Sequence, residues 1–347
     1  MNRNEAFKKL AKPHRDDKVL LLTHIDMDAA GTEILCKNVF TDLTVKHLNN
    51  NKMSEGILNS VMSNIESNMY DIVIIDDISC SIEVADKINE VKNNMKIVLL
   101  DHHNTAEELN RYDWALVVSE LLEDSFMVDR YKNPDKAHSS GASLMYDYLE
   151  YNGLLDGTGF LKELIHIIAA YDTWDWHDIL GENERYSSMD KLCDIYGLDG
   201  FVEEMYNRSL ESYTAAGLFN TKDINKLRDY QEKVDEYLES IKESFVESTL
   251  TIEDTKYSIV WCFTSSFLQE TFILMKELFP NKDLYIIDFG GGMSLRTENP
   301  ELHVGKFARQ RYGGGGHPGA AGFGLTQEMK RKCLEIIMGG TINNIEK

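Results

Sequence analysis

Short apolar runs alternate with helical stretches through the first half of the chain. Unbroken apolar runs cover residues 18–23, 71–75 and 96–100, and residues 29–40, 81–93, 141–151 and 160–171 carry helical patterns. The sequences of buried parallel strands are typically continuous apolar runs rich in β-branched residues. Their alternation with helices indicates βαβ units. The pattern therefore predicts an α/β fold whose N-terminal domain is built on a parallel sheet.

The second half of the chain has a different pattern. Residues 198–246 are highly charged and poor in strand patterns, which predicts a long connecting helix. Hairpin-like strands follow at 248–253 and 257–263, then a helix at 266–278 and two more strands, and finally a glycine-rich segment. We therefore predict three regions, namely a first domain over 1–197, a helical connector over 198–246, and a smaller α/β domain over 247–347.

Charge and cysteine content narrow the classes of function. The net charge of −22 argues against a surface for long duplex nucleic acid, which needs clustered basic residues. A small anionic ligand remains compatible, because bound divalent cations invert the sign of a carboxylate-lined site. Five widely spaced cysteines without a C-x-x-C pair argue against a disulfide scaffold and a zinc ribbon. The charged N-terminus and the lack of an apolar run of about 18 residues predict a cytoplasmic protein without membrane contact.

Acidic and imidazole side chains follow each of the three apolar runs. In chain order they are His24, Asp26 and Asp28, then Asp76 and Asp77, then Asp101, His102 and His103. Ligands of open α/β sheets bind beyond the carboxyl ends of the strands, so these clusters are expected at one edge. Any one of them alone is more typical of a turn or a helix cap. Their recurrence at successive strand ends predicts a shared site.

The chemistry of these side chains points to divalent metal ions. Carboxylates with imidazoles suit Mn²⁺, Mg²⁺, Zn²⁺ or Fe²⁺. His24, Asp26 and Asp28 alternate, so an extended segment would point all three the same way. Asp77 could bridge two cations, and His102 and Asp172 could complete the second site. Two cations about 3.5–4 Å apart can activate a hydroxide and stabilise an in-line displacement at phosphorus.

Five segments resemble those of a known enzyme superfamily. HIDMDAAG, VIIDDIS, LLDHHNT and AAYDTW resemble the four ordered motifs of the DHH phosphoesterases, and GGGGHPGAAGF resembles the signature of their associated C-terminal domain. The motifs extend from His24 to Phe323. The resemblance implies a catalytic DHH domain, a smaller substrate-binding domain and an active site in the cleft between them.

The resemblance also implies roles for individual residues. His24 and Asp26 would hold one of two Mn²⁺-like ions, with Mg²⁺, Co²⁺ and Fe²⁺ as alternatives. The other ion would be held by Asp28, His102 and Asp172. Asp77 would bridge the two, with Asp76 as the alternative bridge. His103 would contact the scissile phosphate, and Asp101 would be a second catalytic residue beside it. Motif one departs from many relatives in carrying Ala29 instead of glycine.

The glycine-rich segment predicts substrate recognition. Gly313, Gly314, Gly315 and Gly316 allow close backbone approach and can form an anion-binding nest. His317 adds a donor, and Arg296 offers the bidentate fork suited to phosphate. The structural alternative is a tight turn with Arg296 paired to a surface acid. Arg309 and Arg311 are weaker candidates.

Several substrates are compatible with such a site. We favour short oligoribonucleotides, cleaved from the 3′ end to nucleoside monophosphates, because motifs one and four resemble the NrnB/NrnA branch. The alternatives are signalling nucleotides (cyclic nucleotides or dinucleotides, or 3′-phosphoadenosine 5′-phosphate), a RecJ-like single-strand exonuclease, and a non-catalytic nucleotide-binding protein. Trp174 and Trp176 fit either base stacking or a core position. The oligomeric state stays open, and the resemblance allows a homodimer.

Overall fold

The chain forms two units, Met1–Leu227 and Arg228–Lys347, each with its own β-sheet. The computed structural model describes residues 1–49, 53–181, 183–316 and 318–339. None of the helices among these residues is long and apolar enough to cross a membrane. The α/β prediction is confirmed.

A five-stranded parallel sheet is the centre of the first unit. Its strands are β1 (Lys18–Thr23), β2 (Asp42–His47), β3 (Ile72–Asp76), β4 (Lys96–Asp101) and β5 (Ala115–Val117). Their order is β2-β1-β3-β4-β5, and every pairing is parallel. The three central strands are buried along almost their whole length, as their continuous apolar sequences predict. The sequence pattern missed β2 and β5, since β2 is a half-exposed edge strand and β5 has only three residues.

Helices cover both faces of this sheet. They are α1 (Arg3–Phe7), α2 (Met27–Val39), α3 (Met53–Ser67), α4 (Ile82–Val91), α5 (Gly141–Tyr151), α6 (Gly159–Asp172), α7 (Asp175–Asp178), α8 (Glu184–Tyr196) and α9 (Leu198–Glu211). One face packs against α2, α5, α6 and α9, and the other against α3 and α4. Alternate strand residues enter the two cores, because successive side chains of a strand point to opposite faces.

The predicted connecting helix over 198–246 is wrong as a single helix. The stretch contains α9 and α10 (Thr221–Ile241), separated by an irregular segment, and a strand starts at its end. Phe201 and Met205 of α9 are part of the first unit's core. Arg208 of α9 forms a buried ion pair with Asp223 of α10 at 2.7 Å. Asn220 accepts a hydrogen bond from the Asp223 backbone N–H, so local contacts at Asp223 accompany the start of α10.

A mixed six-stranded sheet forms the second unit. Its strands are β6 (Val246–Ile252), β7 (Thr255–Phe263), β8 (Leu284–Asp288), β9 (Gly292–Arg296), β10 (Gly315–Gly316) and β11 (Ala320–Gly324). The order is β10-β11-β9-β8-β7-β6, and among the described strands of this sheet only β7 and β8 pair in parallel. The helices that accompany it in the described residues are the C-terminal part of α10, α11 (Leu268–Leu278), α12 (Val304–Tyr312) and α13 (Gln327–Met338). The predicted hairpin is present, and Glu253 and Asp254 make its turn with positive φ angles of 48° and 68°.

Candidate metal centre

Carboxylate and imidazole groups converge at one edge of the first unit's sheet. Three sets have ligand atoms within 4.8 Å of one another: His24, Asp26 and Asp77; Asp28, His102 and Asp172; and Asp77, His102 and His103. They come from the ends of β1, β3 and β4, from the start of α2 and from the end of α6. The chain thus brings all the predicted metal-ligand residues to one place, and the first two sets match the two predicted ligand groups.

The first motif reaches this place by turning from a strand into a helix. His24 follows β1, and Asp26 caps α2 by accepting the Ala29 backbone N–H at 3.0 Å. Asp28 consequently lies in the first helical turn, so the expectation of one extended segment through all three ligands is wrong. Ala29, which donates this hydrogen bond, is fully buried.

The second motif separates its two aspartates sharply. Asp77 has a left-handed backbone with φ of 60°, which costs a non-glycine residue about 1–2 kcal/mol. This turn brings its Oδ1 to 3.2 Å from Nε2 of His102. Asp76 is fully buried, accepts the Thr32 hydroxyl, and belongs to none of the three ligand sets. The geometry therefore favours Asp77 over Asp76 as the shared ligand.

The third motif gives its two histidines different environments. Asp101 is fully buried and accepts the ring N–H of His103 at 2.7 Å and the His102 backbone N–H at 2.7 Å. This hydrogen bond raises the pKa of His103 to about 9, so its half-exposed ring is cationic at neutral pH. Burial lowers the pKa of His102, which favours the neutral imidazole that a metal ligand requires.

The buried carboxylates are poorly satisfied by the protein alone. Burial and the charge of Asp172 raise the pKa of Asp28 to about 7, and burial raises that of Asp77 well above its ordinary value. Oδ2 of Asp77 is buried and has no hydrogen-bond partner in the described part of the chain. An unpaired buried carboxylate is costly unless it is neutralised or coordinates a cation. These residues therefore fit divalent metal ions.

Arg296, the predicted phosphate ligand, lies on β9 of the second unit. It donates hydrogen bonds to Ser294 Oγ at 2.9 Å and to the Leu295 carbonyl at 3.2 Å. Burial lowers its pKa, and within the described ranges no carboxylate lies within 4.0 Å of it. The structural alternative of a surface ion pair is thus not observed among these residues. Arg311, by contrast, pairs with Glu253.

Most of the glycine-rich segment has a structural reason for its glycines. Gly313 ends α12 with φ of 68°. A Cβ on Gly314 would lie 2.2 Å from the Gly322 carbonyl oxygen, and one on Gly316 would lie 2.4 Å from that of Ala320. A Cβ on Gly315 would meet no described atom within 4 Å. Close packing against β11 explains Gly314 and Gly316, and the left-handed helix end explains Gly313. The predicted role of the segment in substrate binding stays a prediction. His317 lies outside the described residues.

Sequence reasoning missed the residues that support the ligands. Ser140 caps α5 and donates its hydroxyl to Asp28, while Thr32 donates to Asp76. The SSGAS segment carries a helix-start signal, with Ser140 and Ser143 in a reciprocal cap. That signal predicts the helix but not the long-range contact with Asp28.

The predicted resemblance of these motifs to those of the DHH phosphoesterases is confirmed by the similarity of the chain to a known oligoribonuclease. A relative with an assigned activity is the "Oligoribonuclease NrnB" of Bacillus subtilis, to which the chain is 28% identical over 317 residues. The aligned region covers 89% of this chain and 73% of NrnB. No family model matches the chain.

Solved structures of low identity also resemble the chain. A pGpG-specific phosphodiesterase, PggH from Vibrio cholerae, is 13% identical with a TM-score of 0.45, covering 93% of this chain and 98% of that one. An exopolyphosphatase-related protein from Bacteroides fragilis is 14% identical with a TM-score of 0.47, covering 94% and 92%. An uncharacterized protein from Helicobacter pylori is 17% identical with a TM-score of 0.45, covering 93% and 99%.

Replacing each second-motif aspartate separately tests which one is the shared ligand. Asp77→Asn should abolish or strongly weaken the binding of added Mn²⁺, because Asp77 is close to both ligand groups. Asp76→Asn should keep the binding of added Mn²⁺, because Asp76 belongs to none of the three ligand sets and accepts the Thr32 hydroxyl. Metal content after dialysis, with circular dichroism as the fold control, measures this. Retained metal in Asp77→Asn with loss in Asp76→Asn would reverse the assignment.

The stability of the metal-free protein should fall as pH rises through about 7. The folded protein holds protons on Asp28 and Asp77 that the unfolded chain releases near the ordinary pKa of 3.8. Stability from this protonation is complete below about pH 4 and is lost as pH passes the folded-state values. We expect the unfolding midpoint in chelator to drop between about pH 5 and 7.5, and Mn²⁺ to restore it. A midpoint in chelator that rises with pH over this range would contradict the prediction.

Proposed function

We propose that this chain is a divalent-metal-dependent phosphodiesterase that shortens oligoribonucleotides of a few residues from the 3′ end, releasing nucleoside monophosphates. The observation that carries the proposal is the placement of Asp77 between two ligand groups, with cationic His103 beside them. Similarity to NrnB supports a phosphodiesterase acting on nucleotides, and the oligoribonucleotide substrate is the finer part of the proposal.

The ligand groups define where two cations would be held. His24 and Asp26 would hold one ion, and Asp28, His102 and Asp172 the other. Asp77 would be shared between them. Two divalent cations, with Mn²⁺ proposed and Mg²⁺, Co²⁺ or Fe²⁺ as alternatives, would supply Lewis acidity at phosphorus and a water nucleophile of lowered pKa.

His103 has the properties of a phosphate-binding residue in this site. Asp101 fixes its ring through Nδ1 and keeps it protonated, so Nε2 can donate to a phosphate oxygen. Its positive charge opposes metal coordination and stabilises the negative charge that develops on the phosphoryl oxygens. His103 therefore binds the scissile phosphate, and Asp101 orients it.

Exposed apolar side chains next to the ligands support a nucleotide substrate. Ile25, between His24 and Asp26, is 48% exposed, and Trp174, two residues after Asp172, is 43% exposed. Trp174 also has a left-handed backbone with φ of 67°, which turns the chain out of α6. An exposed indole beside a phosphate site offers a stacking surface for a base. Of the two alternatives for Trp174, base stacking is therefore the one we propose.

A substrate panel tests the proposal. Labelled di- to heptaribonucleotides, matching deoxynucleotides, cyclic dinucleotides and 3′-phosphoadenosine 5′-phosphate would be incubated with Mn²⁺ or with chelator. We expect Mn²⁺-dependent, stepwise shortening of the ribonucleotides from the 3′ end. Faster turnover of a signalling nucleotide would identify that class as the substrate. A preference for long single strands would support the RecJ-like alternative. If folded, metal-loaded protein turned over none of these phosphoesters, the proposed enzymatic activity would be refuted.

Removing the His103 ring separates phosphate binding from metal binding. His103→Ala should lower turnover by about 10²–10³, the usual cost of losing a preorganised donor, while the protein keeps both Mn²⁺ ions. His14→Ala, at an exposed site before β1, is the matched control and should have normal activity. Activity assays paired with metal analysis measure both. Loss of an ion together with activity would instead identify His103 as a ligand.

A further inference from the structure

The first turn of α5 contacts the carboxylates of the metal centre. Ser140 Oγ donates to Asp28 Oδ1 at 2.6 Å, and the Ala142 backbone N–H lies 3.2 Å from both carboxylate oxygens. The same Oγ accepts the Ser143 N–H, so the proton of its hydroxyl is committed to Asp28. Ser140 and Asp28 are both buried, which leaves this carboxylate little freedom to rotate.

Gly141 lets this turn approach three carboxylates at once. A Cβ at this position would lie 2.6 Å from Cβ of Asp77, 2.8 Å from Oδ2 of Asp28 and 3.0 Å from Oδ1 of Asp76. These distances are shorter than ordinary carbon–carbon and carbon–oxygen contacts, and the atoms belong to short, buried side chains. No other residue fits at position 141 without moving an aspartate.

The carboxylates facing this turn still have unsatisfied atoms. Oδ2 of Asp76 and Oδ2 of Asp77 are buried and lack a hydrogen-bond partner among the residues described. The start of a helix carries partial positive charge, which favours anionic groups beside it. The turn therefore holds the carboxylates in place without satisfying them fully, which leaves the free oxygen of Asp77 available to a cation.

We propose that Ser140 and Gly141 are positioning residues of the metal centre, which preset Asp28 and Asp77 before any cation binds. The inference rests on the proposed function, and it concerns metal affinity and not contact with substrate. Groups that orient metal ligands through hydrogen bonds typically change metal affinity about 10–100-fold when they are removed.

Ser140→Ala tests the hydrogen bond to Asp28. Thr158→Ala is the matched control, because Thr158 caps α6 by accepting the Leu161 N–H and contacts no carboxylate of the centre. Both variants should lower the unfolding midpoint through the lost cap. Only Ser140→Ala should weaken Mn²⁺ binding, measured by calorimetry well below the midpoint, by about 10–100-fold at one of the two sites. Equal Mn²⁺ affinity in the two folded variants would overturn the positioning role.

Gly141→Ala tests the close approach of the turn. Gly200→Ala is its control, since an added Cβ in α9 would meet only Tyr196 Cβ, at an ordinary 3.6 Å. Gly141→Ala should lose measurable binding of at least one Mn²⁺ ion, whereas Gly200→Ala should bind both with wild-type affinity. Wild-type Mn²⁺ binding by folded Gly141→Ala would overturn the inference.

The failure of the proposed function gives a different result from the failure of this inference. A folded wild-type protein that binds no Mn²⁺ would overturn both. Two Mn²⁺ ions bound by the wild type, and equally by both variants, would overturn the positioning role alone. Two ions bound by the wild type, with weakened binding only in Ser140→Ala and Gly141→Ala, would support it.

Discussion

The crowding of buried carboxylates at one edge of the parallel sheet is the constraint on which this molecule depends. Asp28, Asp76 and Asp77 are all almost fully buried, and all meet the start of α5. Like charges in such a place disfavour ionisation, and the protein counters this with a few donors and two imidazoles. Divalent cations would resolve the remaining conflict. The repulsion between the buried carboxylates destabilises the metal-free protein. Bound cations would relieve this repulsion, and its relief would contribute to their affinity.

The fold places these crowded carboxylates at the carboxyl ends of the parallel strands. Parallel strands end together, so residues far apart in sequence meet at one edge, and the hydrophobic cores on both faces hold them there. The left-handed turn at Asp77 and the polar clusters around Asp101 and Asp28 are the local adjustments that aim each ligand. His103 stays half-exposed and cationic at the rim, beside groups that are suited to metal. One sheet edge thus provides neutral, anionic and cationic groups within a few ångströms.

Sequence patterns predicted the parts of this arrangement that depend on local chemistry. The central strands, the polar residues after them and the helices at 141–151 and 160–171 follow from apolar continuity and helical periodicity. The edge strands β2 and β5 were not predicted, because β2 is half-exposed and β5 is very short. The break between α9 and α10 was not predicted, and the buried ion pair between Arg208 and Asp223 that accompanies it joins residues 15 positions apart, which no helical pattern reveals.

The supporting contacts of the site could not be predicted from local pattern at all. Ser140 and Asp28 are 112 positions apart, and no spacing rule connects them. The choice between Asp77 and Asp76 likewise depends on a backbone angle that two adjacent aspartates do not reveal. The residue types predicted that the centre would suit divalent cations, whereas tertiary packing decides which carboxylate oxygens face the centre.

Anomalous diffraction from crystals grown with Mn²⁺ tests the central claim most directly. We expect two anomalous peaks about 3.5–4 Å apart, as in two-metal sites, with the Asp77 carboxylate between them. His24 and Asp26 should contact one peak, and His102 and Asp172 the other. A single peak away from Asp77, or none in crystals soaked at saturating Mn²⁺, would contradict it.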